Sequence, residues 1–412
     1  MPYSWHQFYP KKHLLKPNKI AMKNIISFIL LFGFFHCAMA QSYYVYVTAE
    51  SEDEVALVSF NAATGKATTE KRIPVGFKPA DIEGPHGITV APDGEHWYLS
   101  MAHGNPNGYL YKFKTGTDKL VAQTTLGIFP ASMEISEATG FLFCVNFNLH
   151  GEMVPSTISV VEPKSMTEIT KVPVGTMPHG SRISADGKYQ YSVGMMSGEL
   201  FELNTMTLQV SRILNLDQNI SMDPKHYHHQ GMTKMEHADH DMSKMDHSQH
   251  QGMEQMDKKH DHAMMHSKVK PTWVQPHPSN GMIYVAGNGS DEILDIDSKT
   301  WEVVNKMKTG KAPYNLDITP DGKLLVASYK GEGSTGIWNL KKHKEVGRVS
   351  NTRKVSHGVA MTSDSRFAFI SVEGIGGEPG TVDVIDLKSF KKVGSAEIGK
   401  QAGGIAFWKM VE

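Results

Sequence analysis

The sequence predicts an all-β fold: a seven-bladed β-propeller whose ring is closed by a C-terminal strand that completes the N-terminal blade. Three observations predict it. First, a segment recurs. Pro85-His-Gly-Ile-Thr-Val-Ala-Pro-Asp-Gly94 returns as Pro178-His-Gly-Ser-Arg-Ile-Ser-Ala-Asp-Gly187 and as Pro313-Tyr-Asn-Leu-Asp-Ile-Thr-Pro-Asp-Gly322, with weaker copies beginning at Pro130, Pro271 and Ser356. Second, the starts lie 45, 48, 93, 42 and 43 residues apart, and removing one odd segment from the 93 restores a period of about 46. Third, the stretch after residue 41 carries strands two to four of a unit but lacks the first, which the stretch from Ala402 supplies.

Each unit reads as four strands. A short strand ends in an Asp-Gly turn, the sequence mark of a hairpin. A second strand follows (WYLSMA, YQYSVG, LLVASY), then a third such as TISVVEP or TVDVIDL, and a fourth such as KKVGSAEIG. Four strands per 40–50 residues is the propeller period. Joining the two chain ends into one blade removes the exposed sheet edges that would invite aggregation, and a monomer is expected. These repeats resemble the YVTN-type (YncE-like) seven-bladed propeller family, which pairs a Pro-Asp-Gly turn with a V-x-V-I-D strand. The resemblance implies the fold and leaves the function open, because the architecture hosts binders, enzymes and scaffolds.

Residues 1–40 read as a leader. The apolar run Ile25–Phe35 is too short to span a bilayer, follows Lys23, and precedes the small-x-small pattern Ala38-Met39-Ala40. Met22 is an alternative start. A periplasmic or secreted protein is expected, with no membrane span once the leader is removed. Removal takes five Lys and also Cys37, leaving Cys144 alone, so no internal disulfide is expected. Over the whole chain 42 Lys+Arg balance 43 Asp+Glu, and no basic bias points to nucleic acid. The absence of Cys-x-x-Cys-His excludes c-type haem.

The expected layout is blades one to four over 41–220, a Met/His-rich insertion over 221–267, and blades five to seven with the closing strand over 268–412. The insertion holds 10 of the 21 His and 9 of the 24 Met but no Leu, Ile, Val, Phe or Trp, so it is expected not to fold. It repeats Met-x-x-Met-x-His-x-x-His: Met232, Met235, His237, His240, then Met242, Met245, His247, His250, with a looser copy at Met253, Met256, His260 and His262. Thioethers are soft ligands that favour Cu(I), whereas imidazoles accept Cu(II), Zn(II) and Ni(II). Copper in both oxidation states is the expected cofactor, with zinc or nickel as alternatives. The tract resembles the Met/His-rich segments of exported bacterial copper-resistance proteins.

Antiparallel pairing puts the start of each first strand and each loop between strands two and three on one face of the ring. His86, His179 and His357 share one repeat position there, where the other blades carry Ala131, Thr272 and Tyr314. Same-face loops add Met101, His103, His150, Met195 and Met196 as candidate ligands, and Glu152 and Glu373 as supporting acids. His96, His277 and His343 are expected to be solvated, and Cys144 to be a buried small hydrophobe. The sequence favours an exported metal binder that captures, buffers or transfers copper, with a periplasmic protein as a candidate partner. A redox enzyme with an axial copper site and a scaffold whose tract buffers metal remain open.

Overall fold

The computed structural model describes residues 41–227 and 267–412, with Met1 and Tyr3, apart from Pro79, Asn105 and the His226 side chain. The segment 1–40 read as a leader lies outside the described residues apart from Met1 and Tyr3. Seven antiparallel sheets succeed one another along the chain, each four-stranded except the fourth, which has five. Their first strands are Ala402–Val411, Pro85–Val90, Pro130–Ile135, Pro178–Ile183, Pro271–Pro276, Pro313–Ile318 and Ser356–Met361, and each neighbours the next around a closed ring.

Burial changes across each blade as the ring requires. Second strands such as Leu142–Asn146 and Phe367–Val372 are buried at every position, because a neighbouring blade covers each face. Outer strands such as Lys119–Thr125 alternate, with one face in water. Gly94, Gly187 and Gly322 hold φ of +70°, +73° and +70°. That left-handed region is what the Asp-Gly turns demand.

Closure follows the expected route. Ala402–Val411 pairs with Ser42–Ala49, from Ser42 opposite Val411 to Ala49 opposite Ala402. One difference appears at the start of the insertion, expected at 221. The chain first adds a fifth strand to blade four, Ile220–Met222, and a helical turn, Pro224–Tyr227. Met222 and Tyr227 pack on the apolar core of blades three and four, with the Tyr227 ring 5.3 Å from Phe201. A few apolar contacts thus extend order past the point where aliphatic residues cease.

The blades are tied together at the axis by a belt of hydrogen bonds. The backbone carbonyl of the residue after each leading position accepts a donor from the preceding blade. Thr48 serves His86, Ser100 serves Ala131, Ser132 serves His179, Thr272 serves Tyr314, Ser328 serves His357 and Ser371 serves Gly403. Between blades four and five the donor is the ring of His179, whose Nδ1 lies 3.0 Å from the Thr272 carbonyl. Ser100 and Ser371 also accept the amides of Gly87 and Gly358.

Ser371 is fully buried, so Ser371→Ala leaves the Gly358 amide and the Gly403 carbonyl without this partner at the blade that closes the ring. It is expected to lower unfolding free energy by about 1–3 kcal/mol in urea titrations. An unchanged midpoint would show that the belt does not hold the closure.

Candidate functional site

Every first strand carries the same irregularity. Pairing with the second strand slips between the leading residue and the third or fourth position, as between Pro85 and Ile88 or Pro178 and Ser181, and the equivalent slip in blade one lies between Val47 and Ala49. A bulge of this kind re-aims a side chain out of the sheet. The residue before the leading position is left-handed in six blades: Gly84, Phe129, Met177, Lys270, Ala312 and Gln401. The residue after the bulged one is glycine where neighbours crowd it. A Cβ on Gly87 would stand 2.0 Å from the Ala131 carbonyl oxygen, and one on Gly404 would stand 2.2 Å from that of His86. The glycine of Pro-His-Gly therefore lets the next strand approach.

The re-aimed residues form one layer around the axis: His86, Ala131, His179, Thr272, Tyr314, His357 and, without a side chain, Gly403. Four rings and three small residues share it. Ring centroids lie 5.9 Å apart for His86 and His179, 6.2 Å for His86 and His357, 5.2 Å for His179 and Tyr314, and 4.6 Å for Tyr314 and His357. The three histidines also line a cavity of about 30 Å³ shared with Arg182, Trp273 and Asn315. That enclosed volume holds one or two waters or a single ion.

The hydrogen bonds assign the imidazole nitrogens. His86 Nδ1 lies 3.0 Å from Glu50 Oε2, which leaves Nε2 free. His179 donates Nδ1–H to Thr272, and its Nε2 accepts from the Tyr314 hydroxyl at 2.9 Å. His357 Nδ1 is buried without a partner, and its Nε2 is 3.7 Å from Glu373. Glu373 pairs with Lys330 at 2.9 Å, and the Lys330 ammonium lies 4.3 Å from the Tyr314 ring centre. Glu50 reaches a second ring, His103 Nε2, at 2.8 Å. As the rings stand, no three His, Cys, Asp or Glu side chains among the described residues are arranged to hold a metal ion.

Burial and charge set the protonation states. Burial favours a neutral Glu50, but His86 and His103 together override it and hold the carboxyl well below the usual range. The hydrogen bond that His103 donates to Glu50 raises its pKa. Burial, reinforced by His86, pushes His179 down to about 3. Burial, then Lys330, pushes His357 well below its ordinary value. Both rings are therefore neutral at neutral pH, the form in which imidazole binds metal.

The sequence-derived candidates separate into groups. His86, His179 and His357 come together as expected. His103 and His150 form an outer pair with centroids 5.3 Å apart, and Phe129 contacts both of them and His86. Met101 is instead fully buried in the core between blades one and two, because strand alternation turns it into the sheet packing. Met195 and Met196 are half-buried against the core of blades three and four. The ten-residue repeats, from Met232, Met235, His237 and His240 through Met242, Met245, His247 and His250 to Met253, Met256, His260 and His262, lie outside the described residues.

His277, expected to be solvated, is 9% exposed and bonds the Gly322 carbonyl at 2.9 Å, joining the turn of one blade to the next. His343 is half-exposed and paired with Asp295 at 2.8 Å. Cys144 is buried as expected, and burial raises its thiol far above the ordinary range. Glu50 was not anticipated, because it sits in a short 3-10 turn (Glu50–Glu52) outside the repeat motif. Lys330 lies just beyond a second strand, and Tyr314 stands in a histidine slot.

An axial pocket of imidazoles in a closed seven-bladed ring defines a propeller with a polar axial site. The profile of the YNCE-like beta-propeller family matches residues 145–406, and the chain belongs to that family. Among solved structures it is similar to hydrazine synthase of Kuenenia stuttgartiensis, at 19% identity over 76% of this chain and 81% of that one, with a TM-score of 0.53. It is also similar to a protein of unknown function from Desulfotomaculum acetoxidans DSM 771, at 13% identity over 89% and 98%, with a TM-score of 0.60. These likenesses concern the fold. No curated protein matches the chain.

The depressed histidines predict an acid-side loss of stability in metal-free protein. Below about pH 6.5 the unfolded imidazoles bind protons that the folded ones do not. Stability is thus complete above that pH and falls beneath it, by about 1.4 kcal/mol per pH unit for each ring. His103, raised by Glu50, contributes with the opposite sign. Urea unfolding at about pH 7 and about pH 5 should therefore show a smaller drop in the His179→Gln/His357→Gln variant than in the parent. Equal drops would mean that both rings are protonated in the folded state.

Proposed function

We propose that the protein is an exported propeller that captures a transition metal, copper foremost, and buffers it or passes it to a protein partner. The observation that carries this reading is the set of three imidazoles from blades two, four and seven around a cavity of about 30 Å³. Their surroundings suit ligation. Metal-bound histidines usually donate the second ring N–H to a carboxylate or carbonyl, which fixes the tautomer. Glu50 stands in that relation to His86, and the Thr272 carbonyl to His179. The buried, unpartnered Nδ1 of His357 is a donor atom lacking a partner within the protein.

Three imidazoles suit a mononuclear copper or zinc site. The Met/His tract supports copper over zinc or nickel through its thioethers, and supplies further binding capacity. The apolar leader supports export. No helix among the described residues is long and apolar enough to cross a membrane. The enclosed space at the axis matches a single ion or one to two waters.

Metal analysis of protein loaded with copper tests the reading. The chain lacking 228–266 is expected to keep one copper, and the same chain carrying His86→Ala, His179→Ala and His357→Ala to keep none. Loss of all metal on deleting the tract would reduce the propeller to a scaffold. An ion retained by the triple variant would place the site elsewhere.

A further inference from the structure

We propose, building on the metal reading above, that Tyr314 is the fourth ligand of the axial site and binds Cu(II) through its phenolate oxygen. Tyr314 occupies the histidine slot of blade six, and its ring stands in the same layer as His179 and His357. Among the described residues the hydroxyl has one hydrogen bond, to His179 Nε2. Because Nδ1 of His179 is committed to Thr272, an ion that binds this ring must take Nε2 and displace the phenol from it.

The displaced oxygen is already in position. In the tetragonal arrangement that Cu(II) prefers, two neighbouring ligand atoms at about 2.0–2.1 Å from the ion, about 90° apart, lie roughly 2.9 Å from each other. Tyr314 Oη and His179 Nε2 are 2.9 Å apart. Both atoms can bind one ion with no change in their separation.

The charges of the cluster favour the anion. Lys330 and Glu373 neutralise one another, and Glu50 is shared between His86 and His103. A divalent ion beside Lys330 thus brings at least one uncompensated positive charge into a buried layer, which is strongly unfavourable. When the phenol O–H breaks and the oxygen–copper bond forms, the proton leaves to solvent and no electron moves. The phenolate supplies the missing negative charge, and the Lys330 ammonium over its ring stabilises it. Cu(I) brings one charge less and prefers softer donors. Tyr314 therefore makes the axial site selective for Cu(II), in contrast to the thioethers of the insertion.

The test titrates the full-length metal-free protein with Cu(II), and separately with Cu(I) under reductant. A visible phenolate-to-Cu(II) charge-transfer band with phenolate ring modes in resonance Raman is expected, saturating at one equivalent. Ring-deuterated tyrosine should shift those modes in the unaltered protein, a readout that needs no variant to fold. In Tyr314→Phe the band should vanish. Cu(II) affinity at the axial site should fall at least tenfold, while Cu(I) affinity stays within about threefold. Copper at the axial site, lost in the triple histidine variant but showing no phenolate band, would overturn the proposal and leave the metal reading standing. Copper binding unaffected by the triple variant would overturn both.

Discussion

The hydrogen-bond belt at the axis is the constraint on which the rest of the molecule depends. A propeller blade has a twisted sheet at its core and two neighbours to satisfy. Its innermost strand must give up part of its own ladder so that seven strands can converge. Here the slip after each leading residue frees a carbonyl, and a donor from the preceding blade satisfies it. Six junctions use a hydroxyl and one uses an imidazole. An unsatisfied carbonyl at any of these buried positions would be costly, so the belt fixes the angle at which each blade meets the next.

The candidate site follows from that belt. The bulge that exposes the carbonyl also swings the side chain of the same residue toward the axis. Six side chains and one glycine are thereby delivered to one layer, and the sum of their volumes must fit a narrow ring. Three small residues make room for four aromatic or imidazole rings, and the space left is the size of an ion. His179 serves both roles, closing the junction to blade five through Nδ1 and facing the layer through Nε2.

Much of this was legible in the sequence, because repeats convert position into geometry. The shared slot of His86, His179 and His357 was enough to bring them together, and the orphan strand at Ala402 was enough to close the ring. What the repeat does not encode was missed. Glu50 comes from a turn that has no counterpart in the motif, and Lys330 from a loop. Tyr314 was visible as an exception in the slot, but its hydrogen bond to His179 depends on side-chain direction. Met101 shows the opposite failure. Its proximity in sequence to the mouth of the ring suggested a ligand, whereas strand alternation commits it to the core. His277 likewise looked like a turn residue and proves to be a buried tie between blades.

Closure by the first and last strands couples distant parts of the sequence. Glu50, the carboxylate that orients His86, follows the first strand of the fold, and its amide bonds the Gln401 carbonyl at the head of the last strand. The first strand pairs with Glu54–Asn61 along one edge, while its other edge is completed only by the last strand. The axial layer is therefore complete only when the whole chain is present. A chain cut before Gln401 leaves the Glu50 amide without its carbonyl partner and one edge of the first blade unpaired, so the support behind His86 draws on both ends of the fold.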